Sequence, residues 1–172
     1  MELTFEPIVK NEQGEYHVKV TSVDGGPVFH QVNNVSLSVH KDQNEATLTG
    51  DVSSVSAFND SILAYANEHS EEWFGRKVAE ATLVRAFQTD DDDTLTVDVN
   101  SDMSVKYFSQ EKELKDSADL LQEDLYTHVI LELQGLWFVK KNFGPVWRLT
   151  QVKDAPAPPK KSPYDEYMFQ DA

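Results

Sequence analysis

The residues whose types could do chemistry together lie between Gly135 and Lys153. Trp137, Phe138, Phe143 and Trp147 supply rings, and Lys140, Lys141, Arg148 and Lys153 supply positive charge. No carboxylate interrupts them, so the stretch is +4 in a chain whose formal charge is −15. Aromatic faces stack on unpaired bases at roughly 1–3 kcal/mol each, while lysine and arginine track phosphates. That combination is what a platform for single-stranded nucleic acid needs. The blander reading puts Trp137 and Trp147 in the core and makes the lysines a solvated strand edge. Arg76 and Lys77, beside Trp73 and Phe74, form a second basic-aromatic spot. It extends a strand-binding groove in the first reading; in the second, Trp73 is the plug that docks a helix on the sheet.

Other chemistry finds little support. Asp90 to Asp93 are four carboxylates in a row, without the spacing or the glycine of a calcium loop, and read as a solvated turn. His17, His30, His40, His69 and His128 share no ligand spacing. Glu68, Glu71 and Glu72 beside His69 read as a charged helix end rather than an acid–base set. There is no cysteine, hence no disulfide framework and no thiolate metal site. We expect no catalysis, no metal and no cofactor.

The elements that must position the rings can be read from periodicity. Val129 to Val139 alternates, with Val129, Leu131, Leu133, Trp137 and Val139 on one face and Ile130, Leu136 and Phe138 on the other. Asn142-Phe-Gly-Pro145 is a turn signal, and Val146 to Lys153 alternates again, which predicts an antiparallel hairpin. Upstream, short strands are expected around Leu3–Ile8, Tyr16–Val20, Phe29–Val39 and Ala46–Val52. Ser54 or Ser56 is expected to cap a helix carrying Phe58, Ile62 and Tyr65 on one face. A second helical segment runs from Lys77 to Phe87. Leu95–Val99 and Met103–Tyr107 read as a hairpin about Asn100-Ser-Asp102, and Ser117 opens a short helix through Leu125. The expected fold is α+β, mostly antiparallel β: an OB-like barrel over residues 1–153, with a helical insertion near 54–87.

After Lys153 the composition shifts. A proline-rich linker from Asp154 to Pro163 leads to a short acidic, aromatic tail. There Tyr164, Tyr167, Met168 and Phe169 read as a segment that docks on a partner. The N-terminus shows no signal-peptide pattern and no stretch has the length of a membrane span, so a soluble, intracellular protein without membrane contact is expected.

Two motifs, Ser70-Glu-Glu-Trp-Phe-Gly-Arg-Lys running to Phe87 and Leu133-Gln-Gly-Leu-Trp-Phe running to Lys153, resemble a family of small proteins in large DNA viruses of algae and protists. Some members of that group are similar to the single-stranded DNA-binding proteins of T7-type phages. The resemblance implies an OB barrel with a helix between strands, a flexible acidic tail, and work on DNA replication or recombination in the host cell, whether in cytoplasm, nucleus or a viral replication site. The tail here departs from the phage pattern: it ends Phe169-Gln-Asp-Ala172 and holds only Asp165, Glu166 and Asp171 as acids.

The favoured expectation is therefore single-stranded nucleic-acid binding. Other viral proteins would be met through the tail, and homo-oligomerisation is left open. The rival is a viral structural or assembly protein, a minor virion component whose C-terminal arm docks on a neighbour.

Overall fold

The computed structural model describes residues 3–121 and 125–156. In chain order the strands are β1 (Leu3–Phe5), β2 (Val9–Lys10), β3 (Tyr16–Ser22), β4 (Val28–His40) and β5 (Glu45–Thr49). Three helices follow: α1 (Ser56–Glu68), α2 (Ser70–Phe74) and α3 (Glu80–Ala86). Then come β6 (Thr94–Asp98), β7 (Lys106–Phe108), β8 (Leu114–Lys115), β9 (Leu125–Val139) and β10 (Asn142–Asp154).

Five of these strands close on themselves. β4 pairs with β5, β5 with β6, β10 with β9 and β9 with β4, all antiparallel. The ring shuts where β10 meets β6 in parallel, Arg148 opposite Asp98. Numbered within the barrel the order is 1-2-3-5-4-1, a five-stranded Greek key, and the fold is an OB-like barrel with inserted helices. The hairpin of β9 and β10 is its spine. β9 gives its first half to β4 and its second half to β3, and β10 gives one stretch to β6 and another to β7.

That sharing overturns one expectation. Leu95–Val99 and Met103–Tyr107 do not form a hairpin, because β6 and β7 both lie parallel to β10 instead. A thirteen-residue strand offers both of them the ladder that they do not offer each other. The connection between them turns at Met103, with φ 54°.

Two irregularities in the spine decide which side chains face inward. Trp147 pairs with Leu133 and Val146 with Gly135, so Gln134 is an extra residue on β9. Thr150 is the corresponding extra residue on β10, its hydroxyl donating to the Ile130 carbonyl at 2.8 Å. A single inserted residue flips every later side chain to the opposite face. Val129, Leu131 and Leu133 are buried, but beyond the bulge the buried residues are Leu136 and Phe138, with Trp137 only partly covered and Val139 exposed. The simple alternation expected across Val129–Val139 is corrected accordingly. Gly135 allows the neighbouring strand to approach: a Cβ there would lie 2.2 Å from the Val18 carbonyl oxygen.

The helices pack on this frame. Phe58, Ile62 and Ala66 of α1 are buried, and the Phe58 ring meets Trp147 edge-on at 5.1 Å. No serine caps α1. A tight turn, Ser53–Val55, feeds it, and Asp51 accepts the Ser53 N–H at 3.1 Å. Trp73 is buried, edge-on to Phe138 at 5.5 Å, so the ring docks the helical segment on the sheet. Each large apolar side chain buried this way contributes about 1.5–3 kcal/mol.

Candidate nucleic-acid interface

The turn of the spine is not where Asn142-Phe-Gly-Pro145 suggested. Val139 pairs directly with Asn142, leaving Lys140 and Lys141 as a two-residue turn with Lys140 at φ 57°. Asn142 to Pro145 already belong to β10. Gly144 is needed for space rather than for φ, since a Cβ there would meet Trp137 Nε1 at 2.8 Å and the Gln88 carbonyl oxygen at 2.7 Å. Both lysines are thus exposed at the tip of a rigid hairpin.

Around that tip lies a groove of about 580 Å³. Arg76, Lys140 and Lys141 line it, against one carboxylate, Glu72. Arg76 comes from the loop after α2. Gly75 turns that loop at φ 74°, and the buried Ser70 hydroxyl anchors it by accepting the Val78 N–H at 3.0 Å. Tyr16 forms another wall and is 48% exposed, opposite Phe138 in the β3–β9 ladder. The Lys10 ammonium sits over the Tyr16 ring, 5.7 Å from its centroid, a cation–π contact beside the groove. The floor holds Phe74 and Phe138, and both rings rest on the fully buried Phe143: Phe138 stacks on it at 5.7 Å and Phe74 meets it edge-on at 5.5 Å.

The expected site residues separate into groups. Phe138, Phe143 and Trp147 are packed in the core, at 7%, 0% and 3% exposure, so they are supports and offer no open face to a base. Trp137 is half-buried and faces a different cleft, with Asp90, Asp91, Asp92 and Asp98. Arg148 is half-buried and faces Asp98 across the parallel closure. The Asp98 carboxyl is held above its usual range by desolvation in that cleft, against the pull of Arg148. Lys153 lies up to roughly 40 Å along the strand from the tip, at about 3.3 Å per residue, beside Lys112 and His128. The four cations of the spine therefore do not form one ribbon. Lys77 is exposed next to Arg76 but does not line the groove. Tyr164, Tyr167, Met168 and Phe169 lie outside the described residues.

Sequence reasoning missed Tyr16 and Lys10. Tyr16 alternates with Val18 and Val20, so periodicity alone places it on their apolar face. The signal was present in its position: it opens its strand right after the Asn11–Gly14 turn, where an apolar face runs out of cover.

An OB barrel commonly engages oligonucleotides through the face of its second and third strands and the loops beside them. Here those strands are β5 and β6, and the acidic cleft borders β6 through Leu95, Thr96 and Asp98. The cations gather at the loop joining the fourth and fifth barrel strands.

Solved structures of a phage protein are similar to this chain at low identity. The single-stranded DNA-binding protein from bacteriophage Enc34 superposes with a TM-score of 0.46 at 13% identity, over 92% of this chain and 96% of that one. Its complex with ssDNA gives 0.48 at 12% identity over 92% and 99%, and its C-terminal truncation gives 0.47 at 12% identity over 92% and 98%. No curated protein matches the chain. A family model covers residues 18–171, from the strand that bears Val18 through the barrel and beyond, and the chain belongs to that family of unknown function (DUF5871).

Proposed function

We propose that this protein binds single-stranded nucleic acid in the groove at the hairpin tip. One observation carries the reading: Arg76, Lys140 and Lys141, far apart in sequence, converge on a concave surface with an open Tyr16 ring. Phosphates would run past the three cations while an unpaired base stacks on Tyr16. A duplex has no free base face to offer that ring, so the groove selects single strands. The resemblance of the Trp73-Phe74-Gly75 helix end and the closing hairpin to proteins of large DNA viruses supports a role in viral replication or recombination inside the host cell.

The test is the anisotropy of a labelled oligo-dT titrated with the full chain. Replacing Lys140 and Lys141 together by Glu is expected to weaken binding at low salt by about tenfold or more, since it removes two phosphate contacts and reverses their sign. The wild type should show a log–log salt slope of about −2 to −3, at roughly −0.7 per contact for three or four contacts. Unchanged affinity in the double variant, or a slope near zero, would overturn the reading.

A further inference from the structure

At the end of the spine away from the tip, the outer face of the barrel holds a cleft of about 380 Å³. Val129 and Leu131 turn into the core, so His128 and Ile130 beside them stay half-buried on the outside. Phe108 of β7 lies opposite Lys153 in the parallel ladder and forms another wall. Lys112 lines the cleft from the turn between β7 and β8, at φ 70°. That hairpin is tied down through its second strand. The Lys115 ammonium donates to Asp154 Oδ2 at 3.0 Å and to the Tyr107 hydroxyl at 3.2 Å. The cleft is therefore held open by the sheet itself.

Its lining sets the class of occupant. Ile130 and Phe108 are half-buried apolar surface, and Lys112 and Lys153 stand at the rim. Among the described residues, no carboxylate lines the cleft, and neither lysine forms an ion pair. Glu111 and Glu113 flank Lys112 in the chain without lining the cleft, and Asp154 is already engaged by Lys115. His128 accepts the Asn34 N–H on Nδ1 at 3.2 Å, which leaves Nε2 as its N–H donor. Apolar walls with donors at the rim call for an apolar segment that carries carboxylates.

The chain supplies one nearby. The described residues end at 156, within about 10 Å of Lys153 at about 3.3 Å per residue. Beyond them Tyr164-Asp-Glu-Tyr-Met-Phe169 sets two carboxylates among apolar side chains, against two ammoniums in the cleft. Tyr164 follows residue 156 by a proline-rich stretch that spans at most roughly 26 Å, so the cleft is within easy reach. The tip is roughly 40 Å along the strand, and only the last residues of the segment would meet it, with the chain fully drawn out. A short tether favours the nearer site by effective concentration.

We propose that this cleft seats the chain's own C-terminal segment, Tyr164 to Phe169, with its rings against Ile130 and Phe108 and with Asp165 and Glu166 answering Lys112 and Lys153. The groove at the tip stays open to nucleic acid when the segment is so seated. This inference does not rest on nucleic-acid binding and can fail separately from it.

The chain contains no cysteine, so Ala172→Cys takes a single nitroxide label on the full protein. Paramagnetic broadening of backbone amides then reports where the segment lies. Strong broadening is expected at Phe108, Lys112 and Ile130, and little at Arg76 and Lys140. Tyr167→Ser with Phe169→Ser should reduce it at Ile130 about threefold or more, as two rings return to water. Lys112→Glu with Lys153→Glu should reduce it about threefold, by reversing two surface ion pairs. Cooperative urea unfolding of each variant confirms that it is folded. Broadening centred on Arg76 and Lys140 would put the segment in the basic groove and overturn the proposal. So would broadening without a centre, or broadening at Ile130 that survives both pairs of substitutions. Broadening of isotope-enriched, unlabelled chain mixed with labelled chain would assign the cleft to the segment of a second copy and overturn seating within one chain.

Discussion

Trp137 and Phe138 are chain neighbours with opposite surroundings. Trp137 faces the acidic cleft beside β6, and Phe138 lies beneath the basic groove at the tip. The two regions share one hairpin and both have aromatic walls, yet one gathers carboxylates and the other gathers cations. Successive side chains on a strand point to opposite faces, so a cluster counted along the chain is divided in space. The +4 stretch is divided in this way: its charge at Lys140 and Lys141 joins Arg76, its charge at Arg148 answers Asp98, and Lys153 lies at the far end. A local count of charge therefore describes a segment, whereas a binding surface is assembled from several.

The sharpest way to break this division is to remove the residue that phases it. Deleting Gln134 should force Leu136 and Phe138 outward and Trp137 inward, or shift the whole pairing with β3. A loss of about 3–5 kcal/mol in urea unfolding is expected, at the upper end of single-site effects because a core layer is misplaced. Full retention of stability would mean that the bulge does not set the two faces.

Arg76→Glu and Lys77→Glu test how local the basic region is. Only Arg76 lines the groove, so its reversal should cost about tenfold in oligo-dT affinity, and reversal of Lys77 about twofold, as a peripheral charge. Equal losses would replace the groove with a general basic field. Neutralising Asp91 and Asp92 tests the other side. Oligo-dT affinity should rise by no more than about twofold at low salt and be unchanged near 0.3 M, because screening isolates surfaces more than a Debye length apart.

The smallest expected effect concerns His30, whose Nε2 lies 2.8 Å from Ser54 Oγ and whose ring is near Phe58 and Trp147. Burial lowers its pKa in the folded state. As pH falls, the unfolded chain takes up this proton first, so the associated stability is present above about pH 6.5 and lost as pH drops through the folded pKa. Tm should fall slightly between pH 7 and pH 5, and less so in His30→Gln.

Most of the strands were legible because their local patterns agree with the fold. Tyr16–Val20, Val35–Val39 and Ala46–Leu48 alternate, Asp24-Gly-Gly-Pro27 breaks the chain, and Phe58 and Ile62 recur at helical spacing. The groove was legible in three of its lining residues, Lys140, Lys141 and Arg76, but not in its membership. Tyr16 and Lys10 enter through β3 pairing with the end of β9, and three of the four rings in the spine leave it for the core.

Residue order by itself determined the strongly acidic balance, the cationic hairpin and the β-rich pattern with inserted helices, since charge and periodicity are local properties. Tertiary structure alone decided where the turn falls, which rings are sealed, and that Arg76 meets Lys140 and Lys141. Those outcomes depend on two inserted residues, Gln134 and Thr150, and on a parallel closure between β6 and β10. Their cause is the pairing of distant strands, and no short window of sequence contains both partners.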